Sequence, residues 1–170
     1  LGEGPDAFLA RRSRQFRRSL LRSERDAREA GITIEDASAD KSPELYRRIQ
    51  DVEVRGWKGL GAVGISEGAM HDFYEGMMPR LQNRAAQRVL FARHEGRDVA
   101  YIFGGMLHGC YRGLQFSYDD AYRKLGLGNL LQLEQIRRLC AESAQTYDLG
   151  TFMDYKLRWA DRAQETVTLL

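Results

Sequence analysis

The chain has 170 residues, 26 basic and 24 acidic, a formal net charge of +2 and 43% apolar side chains. That length supports about one domain with a real core, and the ordinary apolar content excludes a disordered tail. No apolar run approaches the roughly 20 residues of a membrane span, and so small a net charge gives no argument for nucleic acid as partner.

In chain order, residues 9–30 read as one helix. Leu9, Phe16, Leu20 and Ala27 share a face, and Gly31 is a natural stop. Its other faces carry eight arginines, from Arg11 to Arg28, which form either a solvated surface or a contact for an anionic ligand or partner. The start, LGEGPDAFLARRSRQ, lacks the apolar segment of a signal peptide and has no initiator Met, so the chain reads as a fragment or as the ordered part of something longer. Ile32 to Asp36 alternates and reads as a strand. Ser42-Pro43-Glu44 opens a helix to about Arg55, with Ser42 as N-cap and Leu45, Ile49 and Val52 as the buried stripe. The glycine-rich break GWKGLG (Gly56 to Gly61) follows.

A second helix spans about Glu67 to Ala86, with Met70, Phe73, Met77 and Leu81 expected on its core face. Arg88 to Arg93, Val99 to Leu107 and Cys110 to Tyr118 are three strands of an antiparallel meander joined by tight turns. Gly104-Gly105 inside the second predicts a bulge or a close approach. A helix from Asn129 to about Ala144, a strand from Tyr147 to Gly150, a short helix from Met153 to Asp161 and a last strand over Glu165 to Leu170 complete the reading. The order predicts an α/β (α+β) domain of three layers, a mixed central sheet with helices on both faces. Cys110 and Cys140 have no CxxC spacing and read as packing thiols in a reducing, cytoplasmic compartment. His71, His94 and His108 are scattered without metal-ligand spacing, so no metal is expected.

The stretch around which the chain is organised runs from Cys110 to Leu139. A β-prone run enters the polar turn Asp119-Asp120, then Arg123-Lys124-Leu125-Gly126-Leu127-Gly128-Asn129, and a helix opens behind it. Glycines permit positive φ and remove the Cβ that would block a ligand. A helix start presents unpaired N–H groups and a positive dipole end, which suits a pyrophosphate. Read plainly, the same pattern is also a tight strand-to-helix turn.

The Arg123-Lys-Leu-Gly126-Leu-Gly128 run resembles the pyrophosphate motif of the GNAT acyltransferase superfamily, Gln/Arg-x-x-Gly-x-Gly/Ala. RRSLLRSERDAREAG (Arg17 to Gly31), GWKGLG, HEGRDVAYIFGGMLHGCY, SYDDAYRKLGLGNLL and YDLGTFMDYKLRW are together similar to the branch containing CelD-type polysaccharide-biosynthesis proteins, related to Fem-type peptidyl transferases. Members of that branch often carry Ser-Pro-Gly in the loop, where this chain has Gly126-Leu127-Gly128. The resemblance implies a GNAT-like fold across residues 1–170, either a single domain or half of a tandem protein with a partner domain; the arginine-rich first helix and a truncated sheet edge would both favour a homodimer.

It also implies an enzyme that transfers an acyl group from acetyl-CoA, or another acyl-CoA, to the amine of a small molecule, glycan or peptide. Transfer would be direct, in a ternary complex. The expected cofactor-binding residues are Arg123, Lys124, Gly126, Gly128, Asn129 and Tyr118, with the thioester oxygen polarised by a backbone N–H near Phe116 to Tyr118. Tyr155 is the implied general acid. Glu53 is the candidate base and Asp119 the second choice. Bland alternatives stand beside them: Tyr155 as a packing residue, Glu53 as a surface carboxylate paired with Arg47 or Lys58, and Trp57 as a core or lid residue. Two other functions fit the same fold, a Fem-like transferase using aminoacyl-tRNA and a non-catalytic accessory domain of envelope polysaccharide assembly.

Overall fold

In the computed structural model, residues 1–56, 65 and 67–165 are described. The Trp57–Gly61 part of the glycine-rich break and the expected strand over residues 166–170 lie outside them.

The N-terminal helix is two helices, not one: α1 (Pro5–Ala10) and α2 (Arg14–Glu29). The break is chemical. Ser13 leaves helical space (φ −59°, ψ 148°) and its hydroxyl accepts from the Phe16 amide at 3.2 Å, an N-cap. Arg17 Nη1 donates to the carbonyls of Arg12 (3.0 Å) and Ala10 (3.1 Å), satisfying groups that α1 leaves open at its end. Phe16, Leu20, Ser23 and Ala27 form the buried stripe of α2.

Then come β1 (Thr33–Asp36), α3 (Glu44–Arg55), α4 (Gly68–Asn83), β2 (Gln87–His94), β3 (Arg97–Leu107) and β4 (Cys110–Tyr118). In α3 the Ser42 hydroxyl makes no cap; Pro43 occupies the capping position. A 3₁₀ segment (Asp120–Leu125) leads to α5 (Leu127–Ala141), β5 (Thr146–Asp148) and a second 3₁₀ segment (Asp154–Arg158). α5 starts two residues earlier than its apolar pattern suggests, because Gly126 (φ 66°, ψ 34°) is its N-cap.

The five strands stand in the order β1-β2-β3-β4-β5, antiparallel except for the parallel β4–β5 pair. Strand alternation divides the core. Val89, Phe91, Tyr101 and Phe103 pack against α3 and α4 with Leu45, Ile49, Val52, Tyr74 and Met78. Leu90, Ala92, Ala100 and Ile102 pack against α2 and α5 with Ala27, Leu127 and Leu131. Helices therefore cover both faces of a mixed sheet, the expected three layers. The Gly104 expectation also holds: the register shifts between Phe103 and Gly104, and a Cβ on Gly104 would lie 2.4 Å from the Tyr111 hydroxyl.

On α4 the buried face differs from the expected one. Tyr74 and Met78 are buried and Met77 and Leu81 pack partly beside them, while Met70 and Phe73 are 45% and 56% exposed. The apolar run is wide enough to fit either face. The sheet selects Tyr74, whose ring meets Phe103 edge-on at 6.1 Å.

Candidate active site

β4 and β5 pair over three residues only, Cys110↔Thr146 to Arg112↔Asp148. At the next residue of β4, Gly113, a Cβ would lie 2.9 Å from the Tyr147 ring. The absent side chain lets Tyr147 lie on the strand, and beyond this contact β4 continues to Tyr118 without β5 beside it. The gap is a cleft of ≈ 180 Å³. Phe116 and Tyr118 of β4 form one wall, Arg123 and the α5 residues Gly126, Gly128, Asn129 and Gln132 another, and Tyr155 and Trp159 a third.

Backbone geometry gives the cleft its polarity. The Asp119 amide donates to Val99 O at 2.8 Å. In an antiparallel ladder alternate residues face the partner strand, so Ser117 faces β3 while the backbone groups of Phe116 point toward the gap; the Tyr118 carbonyl lies instead against Gly56, which bridges β4 at Asp119. The first turn of α5 opens onto the same space. Gly128 allows that turn to approach β4: a Cβ there would sit 3.1 Å from the Phe116 ring. The Asn129 amide bonds to Gly126 O at 3.0 Å, which leaves the Leu127 and Gly128 amides as the outward donors of the turn. Arg123 adds a positive charge, and Lys124 stands exposed one residue on.

Of the residues expected from sequence, Tyr118, Arg123, Gly126, Gly128, Asn129 and Tyr155 line this one cleft. Tyr155 meets Phe116 edge-on at 6.0 Å, and burial raises its hydroxyl pKa above the usual tyrosine value, so it is protonated at neutral pH. Trp159, one helical turn on, is held by Phe16 (4.9 Å, edge-on) and Phe8 (6.3 Å, stacked). Arg12 fastens the same end of the wall, donating to Ala160 O at 2.8 Å and pairing with Asp161.

Glu53 and Asp119 stand apart from the cleft lining. Glu53 lies on the α3 face of the sheet and is fully buried, not the surface carboxylate of the bland alternative; Arg47 pairs instead with Glu44 at 3.0 Å. Tyr101 donates its hydroxyl to Glu53 Oε2 at 2.8 Å. Tyr101 is directly opposite Ser117, and the buried Ser117 hydroxyl has no hydrogen-bond partner. Close by, Gln115 Nε2 donates to the Tyr74 hydroxyl at 3.1 Å. This polar group sits behind the stretch of β4 whose other face lines the cleft. Asp119 is committed elsewhere. Its Oδ1 accepts from the Ala121 amide and its Oδ2 from Arg55 Nε, both at 3.0 Å.

Sequence reasoning passed over Gln132 and Trp159. Each falls four residues after an expected site residue, Gly128 and Tyr155, on a helical segment. That spacing places residues on one face and was the available signal. Among the described residues no group of three or more His, Cys, Asp or Glu is placed to hold a metal, and no helix is long and apolar enough to cross a membrane.

The family model of the acetyltransferase (GNAT) domain matches residues 14–157. Among solved structures, a GNAT family acetyltransferase of Staphylococcus aureus is similar at TM-score 0.55 and 12% identity, over 82% of this chain and 98% of that one. An aminoglycoside acetyltransferase from an uncultured soil metagenomic sample, solved with sisomicin, gives 0.58 and 14%, over 85% and 96%. AAC(6′)-Iy, solved with a CoA bisubstrate analogue, gives 0.55 and 9%, over 82% and 96%. At these identities the likeness is one of fold. The sequence finds no match among curated proteins.

Proposed function

The chain belongs to the GNAT acetyltransferase family, and from that premise we propose that it is an acyl-CoA-dependent N-acyltransferase working by direct transfer in a ternary complex. The observation that carries this is the parting of β4 from β5 over the first turn of α5, with Gly126 in left-handed conformation at the turn. Outward amides at a helix start and the Arg123 and Lys124 charges suit a pyrophosphate. The remaining cleft suits a narrow amide-bearing arm ending in a thioester, which supplies the activated acyl group.

The roles of the chain's residues follow from position. The Phe116–Tyr118 backbone polarises the thioester oxygen where charge develops. Tyr155 returns a proton to the leaving sulfur. Glu53, held by Tyr101, takes one from the acceptor amine; it is preferred to Asp119, whose carboxylate is occupied by Arg55 and the Ala121 amide. The acceptor is the amine of a small molecule, glycan or peptide, reached from the α3–α4 side. The setting is a reducing compartment such as the cytoplasm, consistent with the free thiols of Cys110 and Cys140.

Calorimetric titration tests the assignment. Acetyl-CoA and CoA are expected to bind saturably at micromolar concentration. Gly128→Trp and Arg123→Glu are expected to remove binding while thermal unfolding stays cooperative. Unchanged affinity in both variants would overturn the site.

A second reading rests on α2, where Arg14, Arg18 and Arg22 recur at four-residue spacing and are exposed. Such a row fits a polyanion and keeps aminoacyl-tRNA in view as donor. Saturable CoA binding together with no salt-dependent affinity for tRNA excludes it.

A further inference from the structure

The Gln132 side chain lines the cleft, one turn beyond Gly128 on α5. Its carboxamide oxygen accepts a hydrogen bond from the Tyr147 hydroxyl at 3.1 Å. Its amide nitrogen is withdrawn from water and has no partner among the described residues. Buried amide nitrogens are nearly always paired, and one left over on a side chain that lines the cleft can be paired by a ligand acceptor atom after a small shift of that side chain.

The orientation of this amide is built in from three elements. Gly113 of β4 gives up its side chain to admit the Tyr147 ring. The ring is fixed against Tyr111 in an edge-on contact at 4.7 Å. The hydroxyl that emerges then holds the Gln132 oxygen. Burial raises the Tyr147 pKa well above the ordinary tyrosine value, so this hydroxyl keeps the proton it donates to the Gln132 oxygen. With the oxygen taken, the two N–H groups of Gln132 are what the amide has left to offer. Tyr147 is itself paired with Tyr111, one residue before the β4–β5 ladder ends at Arg112 and Asp148, so the donor is aimed from the edge of the parting.

We propose that Gln132 is a ligand-binding residue whose amide nitrogen donates to a carbonyl or hydroxyl oxygen of the cofactor arm between pyrophosphate and thioester, with Tyr147 as its positioning residue. This rests on the acyl-CoA reading above. Oxygen acceptors on a flexible polar arm fit the site; an aliphatic arm would leave the nitrogen unpaired.

The test compares CoA with its nucleotide portion, 3′-phosphoadenosine 5′-diphosphate, by calorimetry. Gln132→Met, close in shape and a good helix former, is expected to weaken CoA about tenfold, the scale of one buried hydrogen bond. Affinity for the nucleotide portion is expected to stay within about twofold. Tyr147→Phe is expected to weaken CoA in the same direction, and the double variant to bind no worse than Gln132→Met alone, since Tyr147 acts through the amide. CoA affinity unchanged in Gln132→Met overturns the proposal, as does equal weakening of both ligands, which marks a distorted phosphate turn. Additive losses in the double variant overturn the role of Tyr147. Wild-type protein that binds the nucleotide portion and not CoA refutes the arm contact while sparing the phosphate site; wild-type protein that binds neither overturns both.

Discussion

Gly126 carries two constraints in one residue. Its φ of 66° lies in the left-handed region, and a Cβ there would sit 2.5 Å from Ser23 Oγ on α2. Gly126→Ala is therefore expected to lose about 2 kcal/mol, from left-handed strain and displacement of Ser23. Urea unfolding checks this; a loss below about 0.5 kcal/mol would contradict it. Gly128→Ala meets only the edge of the Phe116 ring, at 3.1 Å, and a small ring shift accommodates it. The two glycines of the loop thus do different jobs, one conformational and one of approach. The sequence shows both as glycine and cannot distinguish them, since the difference lies in what α2 and β4 bring alongside. Glu53 teaches the converse. Leu45, Ile49 and Val52 already define a stripe on which Glu53 falls, so its burial was legible from its place in the helix even though its charge suits a surface.

Among the elements, α4 offers the sharpest check on packing. Met78→Ala, at 3% exposure, is expected to cost about 2–4 kcal/mol through the cavity it leaves. Phe73→Ser, at a site 56% exposed, is expected to change stability by less than about 0.5 kcal/mol. Paired denaturant curves measure both; a large loss at Phe73 would restore the face expected from sequence. The meander was legible in advance, with β4 found at its expected limits, because strand alternation and tight turns are local signals. α4 was not, because an apolar helix with spare hydrophobic residues takes its orientation from the sheet. The α1–α2 break is an intermediate case: Ser13 is a recognisable N-cap, but the capping of α1 by Arg17 depends on the folded corner. The parting of β4 and β5 stands beside Tyr147 over Gly113, a contact between residues distant in sequence, and no local pattern announces it.

For the molecule as a whole, the buried tyrosines set a limit in alkali. Burial raises the hydroxyl pKa of Tyr101, Tyr111 and Tyr147 above the ordinary value. Above about pH 10 the unfolded chain loses these protons while the folded one keeps them. The unfolded state then binds fewer protons, so stability falls as pH rises. The stabilisation from these groups is complete below pH 10 and declines above it, by up to about 1.4 kcal/mol per pH unit for each tyrosine. Urea midpoints at pH 8, 9, 10 and 11 are expected to hold level and then drop. A midpoint unchanged through pH 11 would contradict the burial of these hydroxyls. The strand order has another consequence, for assembly. Neighbours along the chain are neighbours in the sheet, so the meander closes through short loops at low entropic cost. The far wall of the cleft depends on joining the two ends of the chain, Arg12 to Asp161 across 149 positions. A frame of local contacts thus carries a clasp of distant ones. Closing so long a loop costs more entropy than closing the turns of the meander, so the clasp is expected to form after the frame it fastens.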